Sequence, residues 1–235
     1  MGNIDRIRKI SIWIFVIPVV ALNLCLFVSV NYLLFENTIF QVSETGRTSF
    51  TIPYIDGNVS ISRTARTYPT YLIFKPAMII TAIILIKYWI TNNKVIGIVN
   101  NDTNKNYYFL IFGVGSALFL IAHSIFLGIK FDYDLYKFFR RLLILGFIIF
   151  EIVAQALLVI SIFKIKDMLE KFINKKILIL KIILVFILAI TALASLPFLV
   201  SSGHTHFKHA LEWNYFIGVV LFYFLSFLFW KKRQA

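Results

Sequence analysis

The sequence holds one cysteine, Cys25. No disulfide can form within the chain, and cysteine usage leaves the redox compartment unread. Proline is scarce at five residues. Only Pro18, Pro76 and Pro197 fall in apolar stretches, near their ends or first turns, which argues against the interrupted spans and repeated halves of many transporters. There is no internal repeat, heptad run, low-complexity tail, phosphate-binding glycine loop or His-Glu-x-x-His run. Acidic residues number only 11 against 24 lysines and arginines, a net charge of +13. In a soluble chain that excess would suggest nucleic acid. Here the basic residues sit at the ends of apolar blocks, where they orient a membrane protein and meet headgroups, so no nucleic-acid partner is expected.

What is present is hydrophobic residue, 60% of 235. It falls in blocks of roughly 20, the length of helix that crosses about 30 Å of hydrocarbon. The blocks are continuously apolar rather than alternating, so they read as helices and not as barrel strands. The expected fold is all-α, a polytopic bundle of six transmembrane helices forming one domain over residues 1–235. The spans are expected at 10–35, 71–91, 108–129, 142–163, 177–201 and 211–230. Residues 10–35 are too long for the apolar core of a signal peptide and lack a clear cleavage site.

Fifteen of the 24 basic residues fall on the side of both termini and nine on the other, so both ends are expected in the cytoplasm. One long outer loop, 36–70, joins spans one and two, and a loop of that length usually acts or packs as a cap. It carries an N-glycosylation acceptor, Asn58-Val59-Ser60. Tyr88 and Trp89, Tyr107 and Tyr108, and Trp213 and Trp230 lie near span ends and read as interfacial anchors.

Polar residues inside spans are costly and need a reason. Glu151 lies near the middle of span four, with Gln155 one turn on along the same face. His123 lies in span three, nearer the outer surface. The functional reading is an acid and an imidazole lining a polar cavity; the structural one is a helix-packing hydrogen bond made by a neutral Glu151. A second cluster is His204 and His206, expected in the last outer loop, with His209 and Glu212 three apart on the start of span six. No zinc spacing is matched, and neither a metal nor any other cofactor is expected. The outer loop adds Asp56, Arg63 and Arg66; with His204 these are the candidate lipid-headgroup ligands, since guanidinium forks suit phosphate and carboxylate.

Two stretches carry a resemblance. The outer loop reads Pro53-Tyr54-Ile55-Asp56-Gly57, then Ser60-Ile61-Ser62-Arg63, then Tyr68-Pro69, with Phe74 entering span two. Span six opens with Ala210-Leu211-Glu212-Trp213 and ends in the run Tyr223 to Phe227. The chain resembles the superfamily of damage-regulated autophagy modulators (DRAM), which also holds Sfk-type proteins and relatives that remodel GPI-anchor lipids. Arg63 stands where that pattern has aspartate and Ala65 where it has glycine; alternatively Pro53-Tyr54-Ile55-Asp56 is the counterpart, lacking a serine.

The resemblance implies six spans, cytoplasmic termini, and a role in membrane lipid handling at the plasma membrane, Golgi, endoplasmic reticulum or lysosome. The first expectation is a non-catalytic regulator or organiser of membrane lipids, trafficking or autophagy. Its partners would be membrane lipids, with other membrane proteins as a second class. The alternative is a lipid-remodelling enzyme with His123, His206 or His209 as general base, oriented by Glu151 or Glu212. A proton-coupled transporter using Glu151 and Gln155 is the third reading.

Overall fold

A computed structural model describes residues 2–102, 107–129, 134–200 and 203–231. The described residues hold seven α-helices and no strand: α1 (Gly2–Val30), α2 (Ile61–Arg66), α3 (Tyr71–Val99), α4 (Tyr108–Phe126), α5 (Asp134–Lys164), α6 (Lys175–Val200) and α7 (Thr205–Phe229). All but α2 are long and apolar enough to cross a membrane. They close into a ring in which α1 packs on α3, α3 on α4, α4 on α5, α5 on α6, α6 on α7 and α7 on α1. The outward faces are apolar: Val20 and Phe27 on α1, Ile80 on α3, Leu118 on α4, Phe186 and Leu193 on α6 are all exposed. A surface of that kind is stable against hydrocarbon, where no water has to be ordered around it. The architecture is that of an integral multi-pass membrane protein.

Segment 31–70 gathers at one end of the ring, the loop end. It contains two 3-10 turns, Tyr32–Phe35 and Glu44–Gly46, and the short helix α2. Ser60 caps α2 by accepting the N–H of Arg63 at 3.1 Å, and Arg63 and Arg66 sit in its last turn, where cations suit the helix dipole. The opposite end carries the start of α1 and the end of α7. Arg8 Nε donates to the carbonyl of Phe227 at 3.3 Å, tying the start of α1 to the end of α7. There the α5–α6 connection pairs with the end of α7, through Asn174 N–H to Phe229 O and Lys231 N–H to Phe172 O, both 2.9 Å.

Several boundaries differ from the expected ones. The first helix ends at Val30, where the Asn31 side chain takes the Phe27 carbonyl at 2.9 Å and the chain turns into 3-10 geometry. α3 runs on to Val99, because Asn92 turns its amide back to the Tyr88 carbonyl and is buried with Thr91 and Asn93. α7 begins at Thr205, so His206 belongs to a helix and not to the preceding loop, while His204 is its N-cap residue at φ +55°. Of the charges used to orient the chain, Lys105, Lys130, Lys232 and Arg233 lie outside the described residues.

The aromatic residues expected at interfaces are largely interior. Tyr88, Trp89, Trp213 and Trp230 are buried, whereas Tyr108 is exposed. Gly113 makes room for Trp89: a Cβ there would stand 2.3 Å from the indole ring. The chain places these large rings between helices because each fills more volume than an aliphatic side chain and carries a polar handle for a neighbour.

Candidate functional site

Two polar assemblies stand out, one at the loop end and one buried mid-bundle. At the loop end, residues 51–63 dock on the first turns of α7. Gly57 is the closest approach, at φ +61°; a Cβ there would stand 1.8 Å from the His206 carbonyl oxygen. Only glycine offers both the left-handed conformation and the missing Cβ. His209 Nδ1 lies 3.0 Å from the Gly57 carbonyl, and Trp213 Nε1 donates to the Val59 carbonyl at 2.9 Å. Asn214 Nδ2 donates to the Tyr54 carbonyl at 2.6 Å, and the Tyr54 ring meets Trp213 edge-on at 5.1 Å. The carboxylate of Glu212 faces the backbone N–H groups of Ser62 and Ile61, the orphan donors of the first turn of α2. The segment is thus a cap held by successive polar residues of α7.

Asp56 closes a turn inside this cap. It accepts from Thr51 Oγ1 at 2.6 Å and from the N–H groups of Ile52 and Asn58 at 2.8 and 3.0 Å. Slight desolvation pushes its carboxyl upward, but these donors and the charge of His206 outweigh it and hold the group below 3.8. Arg63 Nε donates to the Thr45 carbonyl at 3.2 Å. Arg66 is drawn below the ordinary arginine value by desolvation and by the guanidinium groups of Arg140 and Arg63. His204 sits apart, its ring edge-on to Phe198 at 6.0 Å. The four headgroup candidates therefore divide: Arg63 and Arg66 share one region, Asp56 belongs to the turn facing His206, and His204 stands at the α6–α7 corner.

The buried assembly centres on Glu151, 1% exposed. Oε1 accepts from Gln155 Nε2 at 2.9 Å and from the hydroxyl of Tyr223. Oε2 lies 2.6 Å from Ser116 Oγ, which itself lies 2.8 Å from the Gly113 carbonyl. Serine has one hydrogen to give. Ser116 donates to Glu151 Oε2, with the Gly113 carbonyl also in reach, so its single hydrogen is shared between the two acceptors. The arrangement joins α4, α5 and α7 through the carboxyl group of Glu151. Glu151 meets Ser116 rather than His123.

Next to it is a group that sequence reasoning missed. Lys181 falls among the basic residues assigned to the cytoplasmic side, yet it is 1% exposed. It stands six residues into α6, about 9 Å along its axis. Nζ donates to Ser226 Oγ at 2.7 Å and lies 4.0 Å from the centre of the Phe222 ring and 5.2 Å from that of Phe229. Ser226 gives its hydrogen to the Phe222 carbonyl at 2.9 Å and so accepts from Tyr88, 3.0 Å away. The Tyr88 ring in turn packs edge-on against Tyr223 at 5.0 Å. Lysine, two tyrosines and glutamate thus form one interior chain from α6 to α5. A signal was available: Lys181 lies inside an apolar block, where Ile177–Leu180 and Ile182–Phe186 flank it.

Among the described residues, no three or more His, Cys, Asp or Glu side chains group together as a metal site. No protein-family model, curated protein or solved structure matches this chain.

Proposed function

We propose that this chain is a membrane protein of DRAM-like plan that organises membrane lipids without turning them over, with both termini cytoplasmic and the cap on the outer side. In a eukaryotic cell it would act in trafficking or autophagy. One observation carries the reading: residues 53–63 and 210–213, the first parts of the two stretches behind the resemblance, lie far apart in sequence and meet in a single interlocked cap. Gly57, Val59, Ser62 and Glu212-Trp213 are the groups that interlock. Use of His209 and Glu212 to hold the cap favours an organiser over an enzyme based on that pair. Arg63 and Arg66, exposed beside the cap, are the headgroup-facing cations.

The test is a comparison of membranes from cells with and without the protein, with lipids that co-purify with it identified by mass spectrometry. A specific set of retained lipids, reduced when Gly57→Val loosens the cap, supports the reading. Conversion of an isotope-labelled lipid by the pure protein sinks it.

A second reading, lipid remodelling, draws on Asp56 and His206, which face each other at the edge of the cap. Unchanged anchor lipids in cells carrying only D56N or H206A would remove it.

A further inference from the structure

Positive charge collects where α2 meets the loop ends of α4 and α5. Gly128, in the turn after α4, sits against Arg66: a Cβ on it would stand 3.0 Å from the Arg66 carbonyl oxygen and 3.7 Å from the Arg66 Cβ. The missing side chain lets α2 seat directly on that turn. Arg140, near the start of α5, is close enough for its charge to be felt at both Arg66 and His123, and Arg63 adds its own at Arg66 from the same turn of α2. Among the described side chains the ion pairs are Arg47–Glu36 and Lys175–Glu170, and neither involves one of these arginines. Two buried nitrogens in this region have no hydrogen-bond partner, Arg140 Nε and His123 Nδ1. The neighbouring Lys75 is already engaged, donating to the Ile125 carbonyl at 3.2 Å.

Gathering like charges is unfavourable, and leaving a buried guanidinium nitrogen unpaired adds to the cost. A tetrahedral oxyanion would remove both costs. Its oxygens match the guanidinium fork in pairs, and an imidazole in the appropriate tautomer donates one bond more.

We propose that Arg66, Arg140 and His123, with Arg63 at the rim, form a binding site for a phosphate monoester or diester. The ligand chemistry is the same whether the phosphate belongs to a lipid headgroup or to a soluble compound. The lipid source rests on the function proposed above; the anion site stands without it.

The 235-residue chain in phosphate-free maltoside micelles provides the test. One arm titrates inorganic phosphate and glycerol 3-phosphate by calorimetry. The other adds phosphatidic acid and reads retention by native mass spectrometry, with diacylglycerol as the uncharged control. Saturable binding in either arm, weakened tenfold or more in both R66Q and R140Q and kept in K164Q at the far end of α5, is the expected result. The arm that responds identifies the source. Arg66 is solvent-exposed, so R66Q keeps the test decisive if R140Q fails to fold. Absence of binding in both arms by folded wild-type protein, or equal binding by R66Q, overturns the site. That outcome together with cap-dependent lipid retention would leave the organiser reading standing; soluble phosphate binding without any retained lipid would do the reverse.

Discussion

Trp213 on α7 donates its indole hydrogen to the carbonyl of Val59, 154 residues earlier in the chain, at 2.9 Å. Both partners are buried. The bond fixes the cap over the loop end of the bundle. Replacing Trp213 by Phe keeps most of the ring but strands the Val59 carbonyl, a loss of about 1–3 kcal/mol. Thermal unfolding in detergent should show a lower midpoint, and protease should cut segment 31–70 sooner. Wild-type protection in W213F would mean the bond holds nothing in place.

Gly57 sets how closely the cap approaches α7. In G57A the new Cβ would fall 1.8 Å from the His206 carbonyl oxygen, with the backbone at φ +61°. The loop must lift. Hydrogen exchange of the Ile52–Ser60 amides should rise well above wild type, while exchange in α3 and α5 stays the same. Unchanged exchange in the loop would contradict the close docking.

Glu151 should tolerate amide replacement better than truncation. Glutamine keeps the shape of glutamate and an oxygen acceptor for the same partners, so E151Q should cost under about 1.5 kcal/mol. E151A leaves Tyr223, Gln155 and Ser116 without their common partner and opens a cavity, costing about 2–5 kcal/mol. Denaturation in mixed micelles gives both numbers. A double-mutant cycle of E151Q with Y223F should show coupling above about 0.5 kcal/mol, since the residues touch. Equal destabilisation by E151Q and E151A would argue that Glu151 is held as the anion.

Lys181 is a buried amine facing aromatic rings and a serine, with no carboxylate in contact among the described residues. Methionine has a similar volume and no charge to desolvate. K181M should therefore match or exceed wild type in thermal midpoint, while K181A should fall below it by about 2–5 kcal/mol because a cavity remains. A large loss in K181M would show that its bonds to Ser226 and the ring faces outweigh the cost of burying the charge.

Asp56 gives the cap an acid dependence. Its folded-state value is held below the ordinary 3.8, so its contribution is present above that value and fades as pH falls through the depressed one. The group is largely solvent-exposed, so the effect is local and screened. Protease sensitivity of segment 51–58 should rise below about pH 4. D56N should lose the acid dependence and be sensitive throughout.

The six spans were legible because only long apolar runs satisfy a helix backbone in hydrocarbon, and run length is a property of sequence alone. Glu151 was legible for the same reason: a carboxyl group inside such a run stands out whatever surrounds it. The pairing of Glu151 with Tyr223 and Ser116 was not, because it depends on which faces of α4, α5 and α7 turn inward. Lys181 shows the limit most directly. Counting basic residues assigns it to a water-facing side, since a lysine near a span end can reach headgroups, whereas the packed ring turns it onto Ser226 and two phenylalanine rings. The same holds for His206, placed on α7 by a helix start six residues earlier than hydrophobicity marks it, and for the buried Tyr88 and Trp89. Local composition determined that the chain enters hydrocarbon and where; contact between helices distant in sequence decided which polar groups meet, because that depends on rotation about each helix axis.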